Sequence, residues 1–170
     1  PIPGETIADS IPNVDLPNDV EIVDVDEYGF KSLRNKLADR LKIKPSAIDR
    51  TMFNISFHET GETLDPKIKN SAGGVARGLY QFQPESVKTA KNRARNLYRS
   101  LGEPLPDWVA NLSTTDASEL TPEQQGFLFL ADAYMRPNFD LGAATKDYES
   151  SVVQWGAGWE TTSNPVLMAQ

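Results

Sequence analysis

Between Thr121 and Pro137 the chain carries a helical pattern whose apolar residues run round most of the circumference, and this segment constrains the fold more than any other. Thr121-Pro122-Glu123-Gln124 opens it with a hydroxyl cap, a proline at the first helical position, then an acid and an amide in the first turn. Phe127, Leu128, Leu130, Ala131 and Tyr134 follow. Pro137 closes it, because a proline disfavours helical geometry in the residue before it. A surface helix hides one stripe, whereas a helix apolar all round needs cover on every side. This segment is therefore expected to be the central core helix, and the rest of the chain must wrap it.

The cover is readable in the flanking segments. Phe30, Leu33, Leu37 and Leu41 recur at helical spacing with Lys31, Arg34, Lys36, Asp39 and Arg40 between them, which predicts an amphipathic helix from about Asp26. Lys44-Pro45-Ser46 punctuates the chain, with Ser46 as the expected N-cap of a second helix. That helix would bury Ile48, Met52, Ile55 and Phe57 and stop at Gly61. Residues 61–78 are polar and rich in glycine, hence loop or short hairpin, and Leu79-Tyr80-Gln81-Phe82 alternates briefly like an extended piece. Pro84 starts a further helix through Val87, Ala90, Ala94, Leu97 and Leu101 that ends at Gly102. Lys88, Lys91, Arg95 and Arg99 share one of its faces, expected to be solvated surface. Residues 103–120 read as irregular, and a last helix is expected from about Asp147 to Trp155. The expectation is a mainly α (α+β) domain over residues 26–170 with a short irregular or β lobe.

Composition removes whole classes of chemistry. The 170 residues contain no cysteine and one histidine, His58. Disulfides, thiolate metal sites and a cysteine nucleophile are thereby excluded, as is any scheme needing two imidazoles. No cofactor and no metal is expected. The net charge of -7 is uneven: eight acids and no Lys or Arg precede Tyr28, and 16 acids face 17 basic residues beyond it. Residues 1–25, with four prolines, thus read as an acidic extended arm, a solvated leader or a docking tether. Neither a nucleic-acid partner nor a membrane span is expected, and the first residues lack the basic and apolar regions of a signal peptide.

Carboxylates are then the main acid–base groups left. Glu59 falls at the C-terminal end of an apolar helix before Thr60-Gly61. Apolar neighbours and the negative end of the helix both penalise its ionised form, which is what a general acid near neutral pH needs. Taken alone, a glutamate before glycine is an ordinary surface acid. Two further features stand beside it: Gly78-Leu79-Tyr80-Gln81-Phe82-Gln83-Pro84, whose glutamines can donate and accept hydrogen bonds to sugar groups, and Trp155-Gly156-Ala157-Gly158.

These three motifs, in this order over residues 48–159, resemble those of soluble lytic transglycosylases and the related goose-type lysozymes. With Thr121-Pro122-Glu123-Gln124-Gln125 and a tryptophan in the last motif, the chain looks most like bacteriophage members. It departs from the family pattern at Thr60 in place of Ser, Tyr80 in place of Met, and Trp155-Gly156 in place of Tyr-Asn. The resemblance implies a lysozyme-like fold that cleaves the β-1,4 bond between N-acetylmuramic acid and N-acetylglucosamine in peptidoglycan. Glu59 would be the single acid and base, and a 1,6-anhydro sugar the product. It also implies substrate contacts from Thr60, Ser71, Gly78, Leu79, Tyr80, Gln81, Phe82, Gln83 and Trp155. The expected setting is a virion-associated enzyme, or one delivered to the periplasm or cell wall, with other virion or tail proteins as partners of the acidic arm. Two alternatives stand beside it: a non-catalytic structural or glycan-binding virion component, and a hydrolytic muramidase, for which Glu62, Asp65, Glu85 or Asp107 would supply the second carboxyl.

Overall fold

The structure, a computed structural model, describes residues 25–70, 74–147 and 149–151. Of these, 59% are helical and 2% are in bridges, with no sheet. The helices are α1 (Phe30–Leu41), α2 (Pro45–Glu59), α3 (Pro84–Leu101), α4 (Asp107–Ala110), α5 (Pro122–Met135) and α6 (Leu141–Ala144), with a 3-10 turn at Ala117–Glu119. Residues 149–151 are also helical. The rest of the helix expected there, and the arm expected over residues 1–25 apart from the exposed Val25, lie outside the described residues.

The apolar helix occupies the centre. Every residue of α5 from Gln125 to Ala133 is buried. Its most extensive contact is with α3, and α1 covers another side while also packing on α2. Tyr98 and Trp108 meet Phe127 at ring-centroid distances of 5.8 and 5.2 Å. Trp108 also donates from its indole nitrogen to the Tyr28 carbonyl at 2.9 Å, which pins the chain just before α1. Asp26 accepts the Lys31 and Ser32 amides there. Burial alone would raise its carboxyl pKa, but these amides outweigh it and hold the group below the usual carboxylate range.

The start of α5 forms a full capping box. Thr121 Oγ1 accepts from the Gln124 amide at 3.1 Å, and Gln124 Oε1 accepts from the Thr121 amide at 2.9 Å. Thr121→Ala removes one half of this exchange and is expected to cost about 1 kcal/mol in urea unfolding, with Thr121→Ser restoring most of it. Equal midpoints for the alanine and wild-type proteins would count against the cap.

Three local expectations are corrected. Ser46 is not the cap of α2: Pro45 takes the first helical position and Lys44 precedes it with no side-chain cap, because a proline ring already has the required φ. Phe57 is only half-buried and stacks on the exposed Phe53, with centroids 5.7 Å apart. The buried side of α2 is Ile48, Thr51, Met52, Ile55 and Ser56. Residues 79–82 are a turn rather than an extended piece. Arg77 and Phe82 exchange both backbone hydrogen bonds at 2.9 Å, and the Gln81 amide donates to the Gly78 carbonyl inside them. The expected lobe is a loop with two isolated bridges, Lys69 to Arg77 and Arg77 to Phe82.

Candidate functional site

Glu59 is the last residue of α2, and the helix ends there for a backbone reason. The Glu62 amide donates to the Phe57 carbonyl at 2.7 Å and the Gly61 amide to that of His58 at 3.2 Å, the paired bonds of a Schellman stop. Gly61 takes the left-handed conformation this requires, at φ 61°. Thr60 is buried and latches the loop to the helix: its hydroxyl donates to the Ser56 carbonyl at 2.8 Å and accepts the Leu64 amide at 2.8 Å. Thr60 thus serves as a structural clip. Glu59 is half-buried and His58 exposed.

The second motif is held by a residue that the three-motif pattern did not single out. Gln125, fully buried on α5, accepts the Leu79 amide at 2.8 Å through Oε1. Through Nε2 it donates to the carbonyls of Pro66 and Leu120, both at 3.0 Å. One amide side chain therefore ties the loop after Glu59, the Gly78 turn and the entry to α5 together. Gly78 has φ 83°, and a Cβ there would overlap Gln125 Oε1. Gly78→Ala is expected to destabilise the protein by about 2 kcal/mol or more, from left-handed strain plus disturbance of a buried hydrogen bond. A thermal midpoint unchanged from wild type would refute that reading.

A groove of about 280 Å³ runs between α2, this turn and the start of α5. Asp49, Met52, Phe53 and Ser56 form its α2 wall, Leu79 and Tyr80 the turn wall, and Pro122, Glu123 and Gly126 the α5 wall. Glu59 lies seven positions beyond Met52 and three beyond Ser56, so helical spacing sets it on the same stripe, one turn past the groove wall. Tyr80 is 5% exposed and stacks on Phe129 with centroids 4.4 Å apart. Burial pushes its phenol above the ordinary range, with the charge of Asp49 adding to the effect, so it is neutral at any working pH.

The motif residues divide by position. Leu79 and Tyr80 line the groove, and Gln81 is half-buried with its side-chain amide donating to the Gly78 carbonyl at 2.9 Å. Gln83 is exposed at the N-cap of α3. Phe82 is 0% exposed and belongs to the core, with its ring 6.3 Å from that of Tyr80. Ser71 and Trp155 lie outside the described residues. Among the described residues, no group of three or more His, Asp or Glu side chains could hold a metal ion, and no helix is long and apolar enough to cross a membrane. Comparison with family models, curated proteins and solved structures finds no match to this chain.

Proposed function

We propose that this chain is a peptidoglycan lytic transglycosylase with a lysozyme-like fold, in which Glu59 is the single acid and base. In this reading the Glu59 carboxyl gives its proton to the glycosidic oxygen between N-acetylmuramic acid and N-acetylglucosamine as that bond breaks. The muramic acetamido group stabilises the cationic carbon left behind. The Glu59 carboxylate then takes the proton of the C6 hydroxyl, whose oxygen closes on the same carbon to give the 1,6-anhydro ring. The proposal includes a phage setting, in which the enzyme opens the wall from a virion.

One observation carries the reading: Met52 and Ser56, on the α2 stripe that Glu59 continues, line the same groove as Leu79 and Tyr80 of the second motif. Backbone strain supports it. Among the described residues, four non-glycine residues have positive φ, and Glu62, Leu64 and Gln81 of these fall in the loop after Glu59 and in the second-motif turn, where such strain is a pointer to function. A second reading, a glycan-binding module without catalysis, draws on Phe53, which is 51% exposed on the groove wall and stacked on Phe57. A flat aromatic face of this kind suits a sugar ring.

Mass spectrometry of fragments released from purified cell walls tests the proposal. Anhydro-muropeptides, lighter by one water than hydrolysed ones, are expected. Hydrated fragments would replace the transglycosylase with a muramidase. Wall binding with no fragments would replace it with the module.

A further inference from the structure

A second hollow lies on a flank of α3, beside the buried Val87. It holds about 370 Å³ and has Lys88, Lys91 and Arg95 on its helical side and Ser113, Thr114 and Thr115 on the other. The sequence pattern alone suggests a solvated row, but the loop at 112–115 folds over that row and makes it concave. No carboxylate lines the hollow. Lys91 is fixed by donating to the Leu112 carbonyl at 2.8 Å, and Arg95 by donating to Asn92 Oδ1 at 3.3 Å. Among the described residues, neither has an acidic partner within salt-bridge distance. Lys88 shares an exposed contact with Glu85 at 3.3 Å, which neutralises it weakly.

The opposite wall completes the donor set. Thr114 is engaged, donating to Glu119 at 2.6 Å and accepting the Asp116 amide. The hydroxyls of Ser113 and Thr115 have no such bond within the described chain. Donors therefore face each other across the hollow, with a planar guanidinium and ammonium groups on one side and hydroxyls on the other. A carboxylate presents two oxygens in one plane. A phosphate presents oxygens that diverge tetrahedrally and can meet both walls at once.

From this arrangement we propose that the hollow between α3 and residues 112–115 binds phosphate groups, with Arg95 and Lys91 as principal charge partners. Lys88 and Arg99 extend the row along α3 to about 16 Å at about 1.5 Å per residue, so a chain of phosphodiesters has more to bind than a single ion. Attraction among such partly exposed charges is screened by salt.

The test uses the full chain labelled with nitrogen-15 and titrated separately with inorganic tripolyphosphate and with poly(glycerol phosphate). Amide shifts are expected to gather at residues 113–115 and along α3, and to weaken as salt rises. The double variant Lys91→Gln, Arg95→Gln is expected to lose about tenfold or more in affinity, because two charge-assisted bonds are removed. Lys88→Gln leaves both fixed side chains in place and keeps the test readable if the double variant unfolds; it is expected to weaken binding less. Tighter binding of the polymer assigns the site to chain-borne phosphate, and equal affinity per phosphate assigns it to the free ion. Shifts scattered over the surface, or unchanged affinity in every variant, would overturn the proposal. Wall cleavage plays no part in the readout, so this result and the Glu59 reading stand or fall separately.

Discussion

Glu59→Gln is expected to lower wall-lytic activity by roughly 10² to 10⁴-fold, the usual contribution of a positioned general acid and base. The substitution keeps size and shape at a half-buried helix end, and the Schellman bonds that stop α2 are made by backbone atoms. Urea unfolding of the variant, run beside the assay, keeps a loss of fold apart from a loss of chemistry. Glutamine can hydrogen-bond a glycosidic oxygen but has no proton to transfer. Asp65→Asn and Asp107→Asn, both at exposed positions, are expected to keep most of the activity if one carboxyl is enough. Zymography with quantified turbidity loss decides the matter. Clearing by Glu59→Gln at the parental rate would remove Glu59 from the chemistry, whereas an equal loss in one of the aspartate variants would point to a two-carboxyl hydrolase.

What the sequence makes legible follows from length and period. Helices α1, α3 and α5 run 12, 18 and 14 residues and show their apolar spacing plainly. Helices α4 and α6, of four residues each, complete only about one turn, so no period can be seen in them. The alternation of Leu79 to Phe82 suggests a strand, but Gly78 and the left-handed Gln81 close the chain on itself, and turn chemistry wins over pattern. Glu59 at the end of α2 and the glycine of the second motif follow directly from residue type. The Gln125 clasp does not, since its three partners at residues 66, 79 and 120 are distant in sequence or across a loop. A signal for it exists all the same. An amide inside a helix that must be buried all round has to find partners, and the same reasoning singles out Asp132 on that helix.

Asp132→Ala is expected to cost about 3 kcal/mol or more, the loss typical of breaking a buried ion pair from one side. The carboxylate is 0% exposed and holds two guanidinium groups, Arg93 Nη1 on Oδ1 and Arg136 Nη2 on Oδ2, each at 2.8 Å. Burial raises the Asp132 pKa and lowers that of Arg136, while each partner's charge opposes the shift. The net value of such a triad is small, but removing its anion leaves two cations facing a hole. Arg93 and Arg136 keep side-chain exposures of 25% and 17%, so both can bend partly toward water, which holds the cost near the lower end of the range. Asp132→Asn should do little better, because its NH₂ would confront a guanidinium donor. Replacing all three, as Asp132→Leu with Arg93→Met and Arg136→Met, is expected to recover much of the loss, since apolar groups of similar volume need no counter-charge. Urea unfolding followed by far-UV circular dichroism measures these differences. A loss below about 1 kcal/mol in Asp132→Ala would place the triad with ordinary surface pairs. Asp132 lies six residues along α5 from the groove-lining Gly126, about 9 Å at the helical rise and about 120° round the helix from it. Activity per folded molecule should therefore survive in any variant that still folds, which separates the role of Asp132 in holding α3 to α5 from the chemistry proposed for the groove.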